Sequence, residues 1–367
     1  MLFKDGKVNT SDRTNLILFI IVLTLVGLGL NILLASSSFL AKKAHGDAYF
    51  FLKKQSLFAL LGVGLFITLS QLNFRIWQKL SWPLYVTSII LLLLVFVPGL
   101  GKRAGGATRW IQVAGLSIQP SDLAKFATML VMARLLSKSE EIRWGSIIVM
   151  LFIILTPVGL IGIEPDFGTA LHLIFAVVMV LFVTGFPLRL LGLAVVLSIP
   201  VIYKSIINVP YRWERVKAFL DPVTYRFEGA YQLVASFKAF NAGGLAGKGF
   251  GEGLRRHNLQ ARHTDFILAV VAEDLGLFGV ALLLLLLFGL SIYAIFLLSK
   301  VQDQFGRLLG FGIVFLFITQ VTMNVAVTMG LIPTTGINLP LISNGGTSLV
   351  TYLAMLGILL SITREST

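Results

Sequence analysis

Apolar runs about the length of one bilayer crossing, separated by short polar breaks, dominate this chain. A helix spanning the hydrocarbon core needs about 20 mostly apolar residues. Such runs lie at 15–35, 55–72, 82–100, 119–137, 144–163, 169–185, 188–207, 265–298, 306–330 and 348–363. The run at 265–298 is long for one pass and carries Glu273, Asp274 and Gly276 near its start, which predicts a polar entry followed by a Leu-rich span. The runs are continuous and lack the period-two alternation of a membrane β-barrel. The pattern predicts an all-α integral membrane protein of about ten transmembrane helices, with residues 1–367 as a single polytopic domain.

Charge between the runs sets an orientation. Lys4, Lys7 and Arg13 precede the first run, which is longer than the roughly 7–15 residues of a signal core and reads as an uncleaved span. With the N-terminus inside, the short inner loops and termini hold eleven Lys/Arg and the short outer loops seven, which favours N-in, C-in. Residues 208–264 then form one large extracytoplasmic loop between the seventh and eighth spans, with nine Lys/Arg against four acids. Trp77, Trp82, Trp110, Trp144 and Trp213 fall near proposed helix ends, where amphipathic rings prefer to sit.

Composition narrows the chemistry. Only 13% of residues are charged and 56% are hydrophobic, against about 25% charged in a soluble domain. The net charge of +13 is scattered between apolar runs instead of lining a polar domain, so it is no nucleic-acid footprint. The absence of cysteine excludes disulfides, thiolate catalysis and Cys-ligated metals, and four histidines argue against a His-rich metal site.

The few acids are the most informative residues. Asp122, Glu164, Asp166, Asp265, Glu273 and Asp274 lie at or just within helix ends, all at the outer ends under the N-in orientation. Ionisable groups at membrane depth are costly and point to function. Asp122 follows Pro120-Ser121 and suits a helix N-terminus. Asp265 could also be a cap, yet Arg255, Arg256, Arg262 and His263 lie within ten residues of it. A carboxylate among cations can combine a general base with an anion-binding surface. Lys125 has either Asp122, three residues before it, as a partner or a phosphate ligand. The glycine-rich run 243–253 fails the nucleotide-loop pattern, because Gly249 follows Lys248 where Ser or Thr is required, and is expected to be a flexible turn. Ser343-Asn-Gly-Gly-Thr-Ser348 is expected to mark a close helix approach or a re-entrant loop.

Eight segments in order carry a resemblance: Gly106-Ala-Thr-Arg-Trp-Ile111, Gln119-Pro-Ser-Asp-Leu-Ala-Lys125, Glu164-Pro-Asp-Phe-Gly-Thr169, Tyr211-Arg-Trp-Glu-Arg-Val-Lys-Ala-Phe-Leu-Asp-Pro222, Gly243-Gly-Leu-Ala-Gly-Lys-Gly249, Arg262-His-Thr-Asp-Phe-Ile267, Ala272-Glu-Asp-Leu-Gly276 and Leu339-Pro-Leu-Ile-Ser-Asn-Gly-Gly-Thr-Ser348. Together they resemble the SEDS family (shape, elongation, division, sporulation), which includes FtsW and RodA. The Arg-Trp-Glu-Arg loop and Ala35-Ser-Ser-Ser38 look more like FtsW. Asp274, where the family usually has Glu, and Asn344, where it usually has Tyr, depart from the pattern.

The resemblance implies a ten-helix peptidoglycan glycosyltransferase of the cytoplasmic (inner) membrane that polymerises lipid II. It implies Asp265 as the catalytic aspartate, with Arg109, Lys125, Asp166, Arg262, His263, Glu273 and Ser343 binding substrate. A divalent cation (Mg or Mn) bridging the diphosphate to acids is the one cofactor it admits. The partners it implies are a class B penicillin-binding protein, other division or elongation proteins and membrane lipids, with no nucleic acid. Two alternatives stay open at this point, a lipid II transporter and a non-catalytic scaffold of the division or elongation complex.

Overall fold

The computed structural model describes residues 10–104, 107–113, 116–138, 144–253 and 263–365. Each apolar run is occupied by a long helix: α1 (Thr10–His45), α2 (Phe50–Gln71), α3 (Arg75–Leu94), α4 (Pro120–Leu136), α5 (Trp144–Ile163), α6 (Phe167–Val183) and α7 (Leu188–Ile207), then α10 (Ile267–Leu298), α11 (Gln304–Thr328) and α12 (Gly346–Glu365). Two shorter helices, α8 (Pro210–Leu220) and α9 (Tyr231–Gly243), give the 208–264 segment its own structure. Among the described residues, eight helices are long and apolar enough to cross a membrane. Helices α4 and α6 have 17 residues each.

Three boundaries differ from expectation. Helix α1 continues past residue 35 because the hydroxyls of Ser36 and Ser37 donate back to the Leu33 carbonyl at 3.0 and 2.7 Å, which lets polar residues stay helical. Helix α3 begins at Arg75 rather than 82, and Pro83 sits inside it. The stretch after α3 adds a small sheet to the helical body: β1 (Gly101–Ala104), β2 (Ala107–Val113) and β3 (Leu116–Ile118) form an antiparallel sheet in the order β1-β2-β3. Glycines at 99, 101, 105, 106 and 115 break any helix here, and Thr108, Trp110, Ile111 and Val113 favour a pleated strand. A side chain at Gly101 would meet the Val95 carbonyl at 2.1 Å, so the sheet packs directly onto the end of α3.

Small residues bring the central helices together, as expected where lipid gives helices no hydrophobic drive to associate. Helices α2 and α12 form the most extensive pair. Added Cβ atoms at Gly62 and Gly357 would fall 2.6 Å from Leu353 and from the Phe66 carbonyl, respectively. Helix α4 lies at the centre with 14 of its 17 residues buried, whereas α7 buries none of its 20.

Helix α10 bends at Gly276, whose φ of 65° and ψ of −163° leave the helical region. The bend explains the glycine-rich run, which is a packed loop and not the flexible turn expected. Carbonyls freed at the bend accept the Lys248 and Gly249 amides, both at 3.0 Å. The Asp274 carboxylate accepts those of Gly251 and Gly253 at 2.9 and 3.2 Å. The backbones approach so closely that a Cβ at Gly243 would lie 1.8 Å from the Ala272 carbonyl.

Candidate functional site

One end of the bundle gathers the start of α4, the α5–α6 turn, the segment before α10, the end of α11, the turn before α12, the sheet and α8. Asp166 caps α6 by accepting the Thr169 amide at 3.2 Å. Its other oxygen lies 3.7 Å from Arg109 Nε. Arg109 comes from β2 and donates to the Pro165 carbonyl at 2.6 Å, so the sheet delivers this cation over the α5–α6 turn.

Asp265 sits on a strapped segment. Asn324 of α11 donates to its carbonyl and to that of Ile337, each at 2.8 Å. Ser343 donates to the Thr264 carbonyl at 2.6 Å, and the Asn344 amide donates to the His263 carbonyl at 2.8 Å. The backbone around Asp265 is thereby fixed from α11 and from the 338–345 turn, and its half-buried carboxylate opens onto two cavities. One, of 400 Å³, is lined by Tyr211, Glu214, Arg215, Glu228 and Gln232. The other, of 100 Å³, is lined by Trp110, Gln119, Asp122, Lys125, His172 and Asn338. Gly336 borders both at a φ of +81°, which an L side chain rarely adopts. An adjoining 290 Å³ cavity is mostly apolar but carries Arg109, Arg212 and Arg215.

Lys125 reaches Asp122 at 2.9 Å and Gln320 Oε1 at 3.2 Å, with both ions of the pair buried. Tyr352 donates to the same Gln320 oxygen at 2.6 Å, and the Gln320 amide continues to Asn338 Oδ1 at 2.7 Å. The ammonium of Lys125 is thus paired with Asp122, the first of its two readings, and it also lines a cavity shared with Asp265. Arg215 donates to the Thr334 carbonyl at 2.7 Å, bonds the Tyr211 hydroxyl and lies over that ring at 4.4 Å from its centroid.

Burial pushes the Asp265 carboxyl up to about 6; Arg215 and Arg109 oppose the rise and Asp166 adds to it. Glu164 is 1% exposed, and both its oxygens lack a hydrogen-bond partner among the described residues. Burial, then the neighbouring Asp166 charge, push it up to about 8 against the pull of Arg109.

The structure thus brings together Asp265, Asp166, Arg109 and Lys125, with Ser343 holding the Asp265 segment from behind. His263 stacks on Phe51, with ring centroids 5.1 Å apart, and Glu273 is buried against Gly253; neither lines the cavities around Asp265. Arg262 lies outside the described residues. Arg212 and Arg215 were not singled out from sequence, although two arginines three apart beside a tyrosine on the short α8 were the available signal. Gln320, Asn324 and Asn338 also escaped notice, because isolated amides in apolar runs have no distinguishing pattern. Among the described residues no three His, Asp or Glu gather as a metal site. Asp166 is engaged by Arg109, so these side chains alone do not fit a resident divalent cation.

A family model described as "Cell cycle protein", covering FtsW, RodA and SpoVE, matches residues 15–367. A protein of Geobacter metallireducens named probable peptidoglycan glycosyltransferase FtsW is 37% identical over 359 residues, covering 96% of this chain and 95% of that one. The like-named protein of Pseudomonas fluorescens is 32% identical, covering 94% and 86%. Among solved structures, one described as structural coordination of polymerization and crosslinking by a peptidoglycan synthase complex superposes with a TM-score of 0.79 at 32% identity, covering 95% and 97%. The rod shape determining protein RodA of Thermus thermophilus superposes with a TM-score of 0.72 at 30% identity, covering 95% and 96%.

Proposed function

The chain belongs to the cell cycle protein family of FtsW, RodA and SpoVE, and from that premise we propose that it is a peptidoglycan glycosyltransferase polymerising lipid II. The work is done at the outer face of the cytoplasmic membrane. The observation that carries this reading is the half-buried Asp265 carboxylate between two polar cavities, with Arg215 on one wall and Lys125 on the other. The larger cavity has room for one sugar of the joining pair, and the smaller carries Lys125 beside the reacting centre. The 4-hydroxyl of the acceptor attacks the anomeric carbon of the donor, and its proton passes to Asp265 as the new C–O bond forms. The bond from that carbon to the diphosphate breaks, and the polyprenyl diphosphate departs with the electron pair. Arg109, Arg215 and Lys125 offset the developing charge. A single displacement inverts the anomeric centre.

Because Asp265 must be ionised to accept the proton, the polymerisation rate should rise with pH through about 6 and then level off. No step is routed through a divalent cation; one would bind through the diphosphate of the substrate and a single carboxylate. A class B penicillin-binding protein is the proposed crosslinking partner, supported by the likeness to the synthase complex. The test supplies lipid II to one face of proteoliposomes carrying the purified chain. Glycan strands should form on the Asp265 side without lipid II crossing the bilayer. Crossing without polymer would make the chain a transporter.

A further inference from the structure

A cavity of 740 Å³ lies at the end of the bundle opposite Asp265, between the ends of α4 and α6 and the start of α11. Arg307 and Asn324 are on the same helix, and Asn324 holds the Asp265 carbonyl. The 17 residues separating them put the two sites about 25 Å apart at 1.5 Å per residue, close to a bilayer thickness. The cavity is therefore separate from the polymerisation site. Its lining is graded, with Thr184, Ser299, Gln304 and Arg307 polar and Leu308 and Phe311 apolar.

Arg307 is half-buried and has no acidic partner among the described residues. Asp303, one turn before it, is already engaged by the Gly306 amide at 2.8 Å and by Arg75 at 3.5 Å. A guanidinium with no acidic partner among the described residues, at the edge of a bilayer, suits an anion, and basic pockets between spanning helices hold anionic head groups. The hydroxyls of Thr184 and Ser299 donate back to the Leu181 and Phe296 carbonyls, both at 2.8 Å. Their oxygens are left as acceptors, which suits a head group bearing hydroxyl donors. We propose that this cavity is a binding site for an anionic phospholipid with a polyol head group, phosphatidylglycerol in chemical type. Arg307 and Gln304 take the phosphodiester, Ser299 and Thr184 accept from the glycerol hydroxyls, and the first acyl methylenes lie on Leu308 and Phe311.

The test extracts the full chain from nanodiscs of phosphatidylcholine doped with phosphatidylglycerol and counts retained lipid by native mass spectrometry. Wild type should retain phosphatidylglycerol over phosphatidylcholine, and Arg307→Gln should lose about fivefold of that preference, the effect of one charge near a membrane surface. Arg307→Lys should keep most of it. Ser299→Phe, which puts a ring where the head group would sit, removes one acceptor and leaves the charge, should lose it as well. Added inorganic phosphate should displace nothing. Equal retention by wild type and either Arg307→Gln or Ser299→Phe overturns the proposal. Displacement by inorganic phosphate also overturns it and reassigns the site to a soluble anion.

Discussion

Helices α4 and α7 answer to opposite solvents. Helix α7 is apolar between Arg189 near its start and Lys204 near its end, touches little except α8 and buries none of its residues. Helix α4 carries Asp122, Lys125, Thr128 and Arg134 and is the one enclosed by its neighbours. In water the polar helix would lie outside. In lipid the polar groups must be satisfied within the protein, so the helix that carries Lys125 to the site is the buried one. Hydropathy alone therefore finds the lipid wall more readily than it finds the site.

That contrast can be broken most severely at Lys125. Lys125→Met leaves Asp122 buried without its counter-charge and should destabilise the fold by about 3–5 kcal/mol, read by denaturant titration in detergent. The double variant with Asp122→Leu should recover most of that loss.

Glu164 sharpens the rule because it is buried without a partner among the described residues. Its carboxyl, near 4.5 when unfolded, titrates at about 8 in the fold. Between those values the unfolded chain has released its proton and the folded chain has not, so stability falls as pH rises across the window. Glu164→Gln should therefore stabilise the protein by up to about 4 kcal/mol at pH 8 and by nothing below pH 4.5. Melting curves at the two pH values check it; a constant offset would contradict the burial argument.

A smaller effect follows from Gly243, where alanine must push against the Ala272 carbonyl. Gly243→Ala should cost about 1–3 kcal/mol and loosen the 243–253 loop, seen as faster amide exchange there. At the lipid wall, Leu193→Ala and Val196→Ala on α7 should each stay within about 0.5 kcal/mol.

The spans were legible because a bilayer imposes one length and one solvent, and every apolar run became a helix. What periodicity missed had local causes. The 101–118 sheet is short and rich in glycine, and α8 and α9 lie in a segment of mixed polarity. Asp265, Arg109, Lys125 and Asp166 stood out as charges in an apolar chain. Arg215 did not, because in a loop with nine basic residues a charge carries no such contrast. Glu164 was visible as an acid near a helix end, but its lack of a partner emerges only from tertiary packing.

The assignment of Asp265 as the base is tested most directly by the rate of lipid II polymerisation by Asp265→Asn, which keeps the shape of the side chain and removes its basicity. The variant should insert and melt no lower than wild type, because the burial cost of the charge is removed, yet polymerise at least about 100-fold more slowly at neutral pH. A folded Asp265→Asn protein that polymerises lipid II near the wild-type rate would contradict that assignment.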